Sequence, residues 1–260
     1  LTGTIPDCIG SSSSSLRYLQ VFVVNYNFIK GTIPKTICRL RKLVWLSLYS
    51  NLLTGSIPTC IGEMSQMTEF DLNDNSLTGS IPPSFCNLTS SQHGGNLNSL
   101  NVSNNQLTGT IPDCNINNIF HSSMTMTIFE AFQNKLSGSL PNSLCNFPYL
   151  TDLQLHSNRI KGTIPECFGT SFKAMERMFL HDNKLHGRLP QLWSLPQLQS
   201  LILSNKRLKG KLPSSIFHQQ GNQTITTRTT NNNNDELLIN SSPNLQYFVL
   251  EGSNIKGSIP

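Results

Sequence analysis

Leu53-Thr54-Gly55-Ser56-Ile57-Pro58 (LTGSIP) decides the fold, because the chain keeps returning to it. It comes back as Leu77–Pro82 (LTGSIP), Leu107–Pro112 (LTGTIP), Leu136–Pro141 (LSGSLP) and Ile160–Pro165 (IKGTIP). Variants stand at Leu1–Pro6, Ile29–Pro34, Leu185–Pro190, Leu208–Pro213 and Ile255–Pro260. Gly31, Gly55 and Gly79 are 24 residues apart, as are Gly138 and Gly162. Self-similarity at a period of roughly 20–50 residues is the mark of a solenoid, in which each unit buries its apolar face against its neighbours. The 260 residues are therefore read as one domain, 1–260, that grows lengthwise.

Upstream of each turn runs an eleven-residue pattern, L-x-x-L-x-L-x-x-N-x-L. Residues 43–53 read LVWLSLYSNLL, 67–77 MTEFDLNDNSL, 97–107 LNSLNVSNNQL and 150–160 LTDLQLHSNRI. The central L-x-L alternates with period two, which predicts a short strand with one buried face. Stacked units give a parallel sheet. The pattern Asn (Asn27, Asn51, Asn75, Asn105, Asn134, Asn158, Asn183) follows each strand. Its amide can bridge backbone groups that the inward turn leaves buried without partners. Lys206 and Ser253 hold that place in the last two repeats, so the stack is expected to loosen there.

Together, L-x-x-L-x-L-x-x-N-x-L-T-G-x-I-P resembles the plant-type leucine-rich repeat of receptor-like kinase and receptor-like protein ectodomains and of polygalacturonase-inhibiting proteins. The resemblance covers nearly the whole chain. It implies a mostly β member of the α/β repeat class: a right-handed solenoid of about ten repeats with a parallel concave sheet. The departures are Met67, Met126, Phe129, Ala131, Met175 and Met178 at core leucine positions. Ser90–Asn96 and Asn115–Thr125 each lengthen a repeat, and residues 218–242 form a polar insertion expected to be a disordered loop. The chain starts without Met partway through a repeat and stops at the same phase of another. Neither end reads as a cap, so a part of a longer array or a unit stacking on its own copies is expected.

Seven cysteines alternate along the repeats. Cys8, Cys60, Cys114 and Cys167 lie two residues after a proline, and Cys38, Cys86 and Cys145 lie four after. Neighbouring repeats bring equivalent backbone within disulfide reach. One register joins Cys38–Cys60, Cys86–Cys114 and Cys145–Cys167 and leaves Cys8 alone. The other joins Cys8–Cys38, Cys60–Cys86 and Cys114–Cys145 and leaves Cys167 alone. The first has shorter loops. Free buried thiols are the plain alternative to both. Sequons at Asn87, Asn101, Asn222 and Asn240, with the cysteines, point to an oxidising, glycosylating, extracellular or cell-surface setting. Net charge is +5, but no run of like charge is long enough for a nucleic-acid arm. The tightest basic groups, Lys35/Arg39/Arg41/Lys42 and Lys206/Arg207/Lys209/Lys211, are expected outside the strands. No apolar run is long enough to span a membrane.

The outward strand positions form three columns on the concave face. They place aromatic rings at Trp45, Tyr49, Phe132 and Phe179 beside carboxylates at Glu69, Asp71, Asp74, Glu130 and Asp152. His156 and His181 fall on adjacent strands. Exposed aromatics mark binding surfaces, so this strip is the candidate site for a protein, peptide or glycan. A solvated face is the plain alternative. Catalysis is not expected: the spacing assigns no nucleophile, no enclosed pocket and no third ligand for a metal beside the two histidines, and no cofactor loop is present. Two functions follow, recognition through the concave face or structural assembly into a filament or surface layer by end-to-end stacking. Ice binding by a Thr- and Asn-rich ladder would need a flat regular face, against which the uneven repeat lengths argue.

Overall fold

The computed structural model describes residues 1–11, 15–89, 95–114, 125–205, 207–211, 247–249 and 254–256. The polar insertion 218–242 with Asn222 and Asn240, as well as Lys206 and Ser253, lies outside these residues, as does most of the two shorter insertions.

Nine three-residue strands form one parallel sheet in strict chain order, from Val21–Val23 through Trp45–Ser47, Glu69–Asp71, Ser99–Asn101, Ile128–Glu130, Asp152–Gln154, Arg177–Phe179 and Ser200–Ile202 to Tyr247–Val249. Each strand pairs in the register set by the repeat, Leu46 beside Phe70 beside Leu100 beside Phe129 beside Leu153. The central residue points inward and its two neighbours outward, as period-two alternation requires. One repeat shows how the core is built. Leu43, Leu46, Leu48, Leu53, Ile57 and Ile61 are all 2% exposed or less. The substituted core positions are buried too: Met67, Met175 and Met178 fully, since an unbranched thioether adapts to irregular gaps, and the smaller Ala131 as well.

The asparagines close the inward turn. Asn75 accepts from the Leu53 N–H at 3.0 Å and donates to the Leu48 carbonyl at 3.0 Å, both in the preceding repeat. Asn51, Asn105, Asn134, Asn158 and Asn183 repeat that pair of contacts. The residue before each (Tyr26, Ser50, Asp74, Asn104, Gln133, Ser157, Asp182) sits at φ 50–54°, a left-handed conformation that costs a side-chain-bearing residue about 1–2 kcal/mol. The ladder offsets that strain. It also runs further than the pattern position suggests. Asn205, one residue before Lys206, is 1% exposed; it accepts from the Asn183 N–H at 3.1 Å and donates to the Leu180 carbonyl at 3.0 Å. The buried amide of that repeat thus stands one residue earlier than the pattern position.

A second parallel sheet follows the turns. It runs through Thr2–Thr4, Phe28–Thr32 and Leu52–Thr54, continues as single bridges Ser56–Thr78, Ser80–Thr108 and Thr110–Ser137, and resumes at Lys161–Gly162, Lys184–Arg188, Arg207–Lys211 and Asn254–Lys256. Arg207, Lys209 and Lys211 thus lie on a strand, contrary to the sequence expectation. Close backbone approach makes this sheet possible. Gly55, at φ 74°, would place a Cβ 2.8 Å from Thr32 Cγ2. Short helical turns carry Cys8, Cys38, Cys60, Cys86 and Cys145, and the disulfides join Cys38–Cys60, Cys86–Cys114 and Cys145–Cys167 with Cα separations of 5.9, 5.1 and 6.0 Å. Cys8 is free and exposed.

Candidate functional site

The outward face of the nine-stranded sheet holds three side-chain groups in sequence along the axis. At its start, Val21 pairs with Trp45 and Trp45 with Glu69. Trp45 is 38% exposed, beside Val21 at 50%. Tyr26 meets Tyr49 edge to face at 4.7 Å. Ser47, fully buried between Trp45 and Tyr49 in sequence, donates to Asn25 Oδ1 at 2.8 Å and to Asp71 Oδ2 at 3.2 Å. Burial pushes the Asp71 carboxyl up to about 6; the Asn73 N–H and Ser47 hydroxyl oppose the rise, and Asp74 and Glu69 add to it. Asp74 is at the turn rather than on the strand, accepting from Asn73 Nδ2 at 2.6 Å and Asn104 Nδ2 at 2.8 Å.

In the middle, Glu130 accepts from Asn101 Nδ2 at 2.8 Å and Gln154 Nε2 at 3.0 Å. Its carboxyl is also raised, by burial first and then by Asp152 and Asp71, with Arg177 pulling the other way. Asp152 is 2% exposed and chelated by Arg177, whose Nε and Nη2 reach its two oxygens, the latter at 2.7 Å. Arg177 is the one Lys or Arg on the three columns among the described residues, and it is already paired. Among the described residues neither Asp71 nor Glu130 makes a salt bridge, though Arg177 acts on Glu130 through space.

Beyond them the rings of Phe132, His156 and His181 stack in a column, 4.6 Å and then 4.4 Å apart and nearly parallel, with Phe179 beside both imidazoles. Burial and then the His181 charge pull His156 down to about 4, and burial lowers His181 as well. Parallel imidazoles face each other rather than a shared point. Among the described residues no three His, Cys, Asp or Glu groups converge as metal ligands.

The structure thus splits the predicted strip into three groups. The sequence reading omitted Tyr26, Ser47, Gln154 and Arg177 from the site. Arg177 was signalled by standing beside Asp152 in its column; Tyr26 had no signal, because a left-handed turn carries its ring to Tyr49. Of the sequons, Asn101 lies on the sheet face, its Oδ1 accepting from the Ser103 N–H at 3.1 Å. Asn87 sits half-buried on the short helix Phe85–Thr89, next to the Cys86 disulfide.

Desolvated Asp71 gives a test. A carboxyl whose folded value lies above its unfolded one favours folding in acid, and that contribution is lost as pH rises through about 6. Asp71→Asn is therefore expected to raise the denaturation midpoint clearly at about pH 8 and little at about pH 4. A variant less stable at the higher pH would show instead that the carboxylate is satisfied where it stands.

Parallel single-strand repeats, an asparagine ladder and a second glycine-seated sheet define a leucine-rich repeat solenoid. The Leucine Rich Repeat family model matches at residues 42–64, 66–88, 96–120 and 149–171. The chain is a plant-type leucine-rich repeat protein, and its curated relatives include plant receptor-like proteins. It is 32% identical over 201 residues to Receptor-like protein 35 of Arabidopsis thaliana, a match covering 67% of this chain and 21% of the relative. The chain therefore spans about a fifth of that relative's length. Among solved structures it is similar to the plant peptide hormone receptor RGFR1 in complex with RGF2, with 27% identity, a TM-score of 0.67, and 100% of this chain and 43% of that one covered. It is also similar to a plant ice-binding protein, with 26% identity, a TM-score of 0.73, and 100% and 71% covered.

Proposed function

We propose that this chain is a segment of an extracellular, non-enzymatic recognition ectodomain whose nine-stranded sheet binds a peptide or protein ligand carrying basic side chains. The observation behind this reading is the pair of half-buried carboxylates, Asp71 and Glu130, neither in a salt bridge among the described residues, with Asp71 one strand from the exposed Trp45. Carboxylates kept at a cost to stability belong to functional surfaces more often than to structural ones. A lysine or arginine seated there gains both charge pairing and cation–π contact with Trp45 or Tyr49. The receptor relatives and the peptide-bound neighbour support recognition over end-to-end assembly. Asn87 is assigned an N-glycan on this reading; Asn101 is not, because its Nδ2 donates to Glu130 at 2.8 Å and a glycan there would cover the row between Asp71 and Glu130. Panning a peptide library against the immobilised chain is expected to enrich basic sequences whose binding is lost with Trp45→Ala or Asp71→Asn and kept with Lys161→Gln. Recovered peptides indifferent to both sheet-face variants would refute the reading.

A second reading comes from the other sheet. Thr32, Ser56, Ser80, Thr110, Ser139 and Thr163 are exposed, and each packs against the glycine of the next repeat. The bridges Ser80–Thr108 and Thr110–Ser137 hold this hydroxyl row in step across both lengthened repeats. The uneven lengths therefore do not break the face, and the similarity to an ice-binding protein gives it a precedent. On this reading Thr110→Tyr abolishes growth arrest of ice crystals by the chain; wild-type protein that leaves crystals unaffected removes the idea.

A further inference from the structure

The three disulfides differ in what each would release on opening. Cys38 and Cys86 are both 3% exposed, so two of the bridges pair a partly exposed cysteine, Cys60 or Cys114, with a buried one. Cys145 and Cys167 are both partly exposed, and both line a surface hollow of about 800 Å³ together with Asn142, Glu166 and Arg188. That size falls within the roughly 300–1,000 Å³ of small-molecule sites. Thiol–disulfide exchange depends on access to the sulfur attacked and on how well the departing thiolate leaves. At the first two bridges the reachable sulfur can be attacked only by expelling Cys38 or Cys86 as a thiolate into the protein interior, where an anion is poorly solvated. At Cys145–Cys167, attack on either sulfur leaves the other at a solvent-accessible wall. Arg188 makes no salt bridge among the described residues, and its register partner Lys209 is exposed beside it. These two cations outnumber Glu166, the one carboxylate lining the hollow, so an anionic reagent and a nascent thiolate are both favoured there.

We propose that Cys145–Cys167 is a thiol-exchange site, modified ahead of the other two bridges by a low-molecular-weight thiol that carries carboxylates. The thiolate of that reagent attacks one cysteine sulfur. A new S–S bond forms as the protein's own breaks, and the electron pair leaves on the other cysteine, which takes a proton from water. A second reagent thiolate then attacks the mixed disulfide and releases the first cysteine. The protein gains two electrons and two protons as a pair of thiols, and the reagent is oxidised to its own disulfide. In an oxidising compartment the bridge stays closed until such a thiol is supplied. The loop it closes carries the strand Asp152–Gln154 and His156. Opening it therefore loosens the part of the nine-stranded sheet where Asp152 holds Arg177, while the strand of Trp45 remains inside the Cys38–Cys60 loop.

The test is exposure of the folded 260-residue chain, with Cys8 first blocked by iodoacetamide, to reduced glutathione, followed by an N-ethylmaleimide quench and peptide mapping. Cys145 and Cys167 are expected to acquire maleimide or glutathione at about tenfold or more the rate of the other bridged cysteines. In denaturant the three bridges should react within about threefold of one another, because burial no longer separates them. Arg188→Gln is expected to slow the glutathione reaction about threefold and to leave the rate with uncharged 2-mercaptoethanol unchanged. Equal rates at all three bridges in the folded protein, or earlier opening of Cys38–Cys60 or Cys86–Cys114, would overturn the site. A gap of about tenfold that persists in denaturant would overturn it too, by placing the selectivity in local sequence rather than in the fold. An equal effect of Arg188→Gln on both reagents would overturn the preference for an anionic thiol.

Discussion

Asn105→Leu is expected to lower stability by about 3 kcal/mol, although leucine has the same heavy-atom branching as asparagine and suits a buried position. Asn105 is 8% exposed. Its amide accepts from the Leu77 N–H at 2.9 Å and donates to the carbonyls of Leu72, Val102 and Ser103 at 3.0, 3.3 and 3.0 Å. Leucine leaves the Leu77 N–H buried without this acceptor and strips a donor from the turn carbonyls, and each orphaned group costs about 1–3 kcal/mol. The gain from apolar burial offsets only part of that, about 1–2 kcal/mol. Units in a solenoid are stabilised by their neighbours, so the defect uncouples the stack at its middle. Chemical denaturation of this variant beside Gln106→Leu, an exposed neighbour expected to change stability by less than about 0.5 kcal/mol, separates the ladder from general substitution effects. Equal midpoints for the two would mean that water replaces the amide.

Loss of the Cys86–Cys114 bridge is expected to cost a similar amount, about 3.5 kcal/mol, by releasing a loop of 28 residues in the unfolded chain. The 22-residue loops of the other two bridges give slightly less on the same entropic argument. This bridge also spans the strand Ser99–Asn101 of the nine-stranded sheet, and Cys86 is 3% exposed. The double variant Cys86→Ser/Cys114→Ser should therefore unfold at lower denaturant and lose order around Asn101 first. Reduction of the wild-type protein should reproduce most of the shift. An unchanged midpoint in both experiments would mean that the bridge constrains nothing in the unfolded chain.

The repeat, the strands and the three outward columns were legible because alternation in a strand allows only one choice of faces once the leucines are assigned. Trp45 beside Glu69 and Ser47 beside Asp71 follow from that alone. The asparagine ladder was legible for the same reason, up to Asn183. It failed at Asn205 because a fixed spacing pointed to Lys206, whereas the turn there is one residue shorter on the strand side and an amide is what the buried backbone needs. Spacing also left two cysteine registers, since each repeat has a neighbour at equal distance on both sides; the choice depends on how the short helical turns aim Cβ. The second sheet was weighed only as an uneven Thr- and Asn-rich ladder because Gly-Thr-Ile-Pro reads as turn residues, and only the seating of each glycine against the previous threonine or serine shows how regular it is. What sequence could not supply at the proposed ligand face was burial. Glu69, Asp71 and Asp74 look alike in the chain, yet only Asp71 is desolvated, by being held in the row beside buried Ser47.

Hydrogen–deuterium exchange of the chain with and without a library-selected basic peptide tests the recognition account most directly. Protection is expected on Trp45–Ser47, Glu69–Asp71 and Ile128–Glu130, the strands that present Trp45, Asp71 and Glu130. Protection confined to Lys184–Arg188 and Arg207–Lys211, with the nine-stranded sheet unchanged, would contradict it.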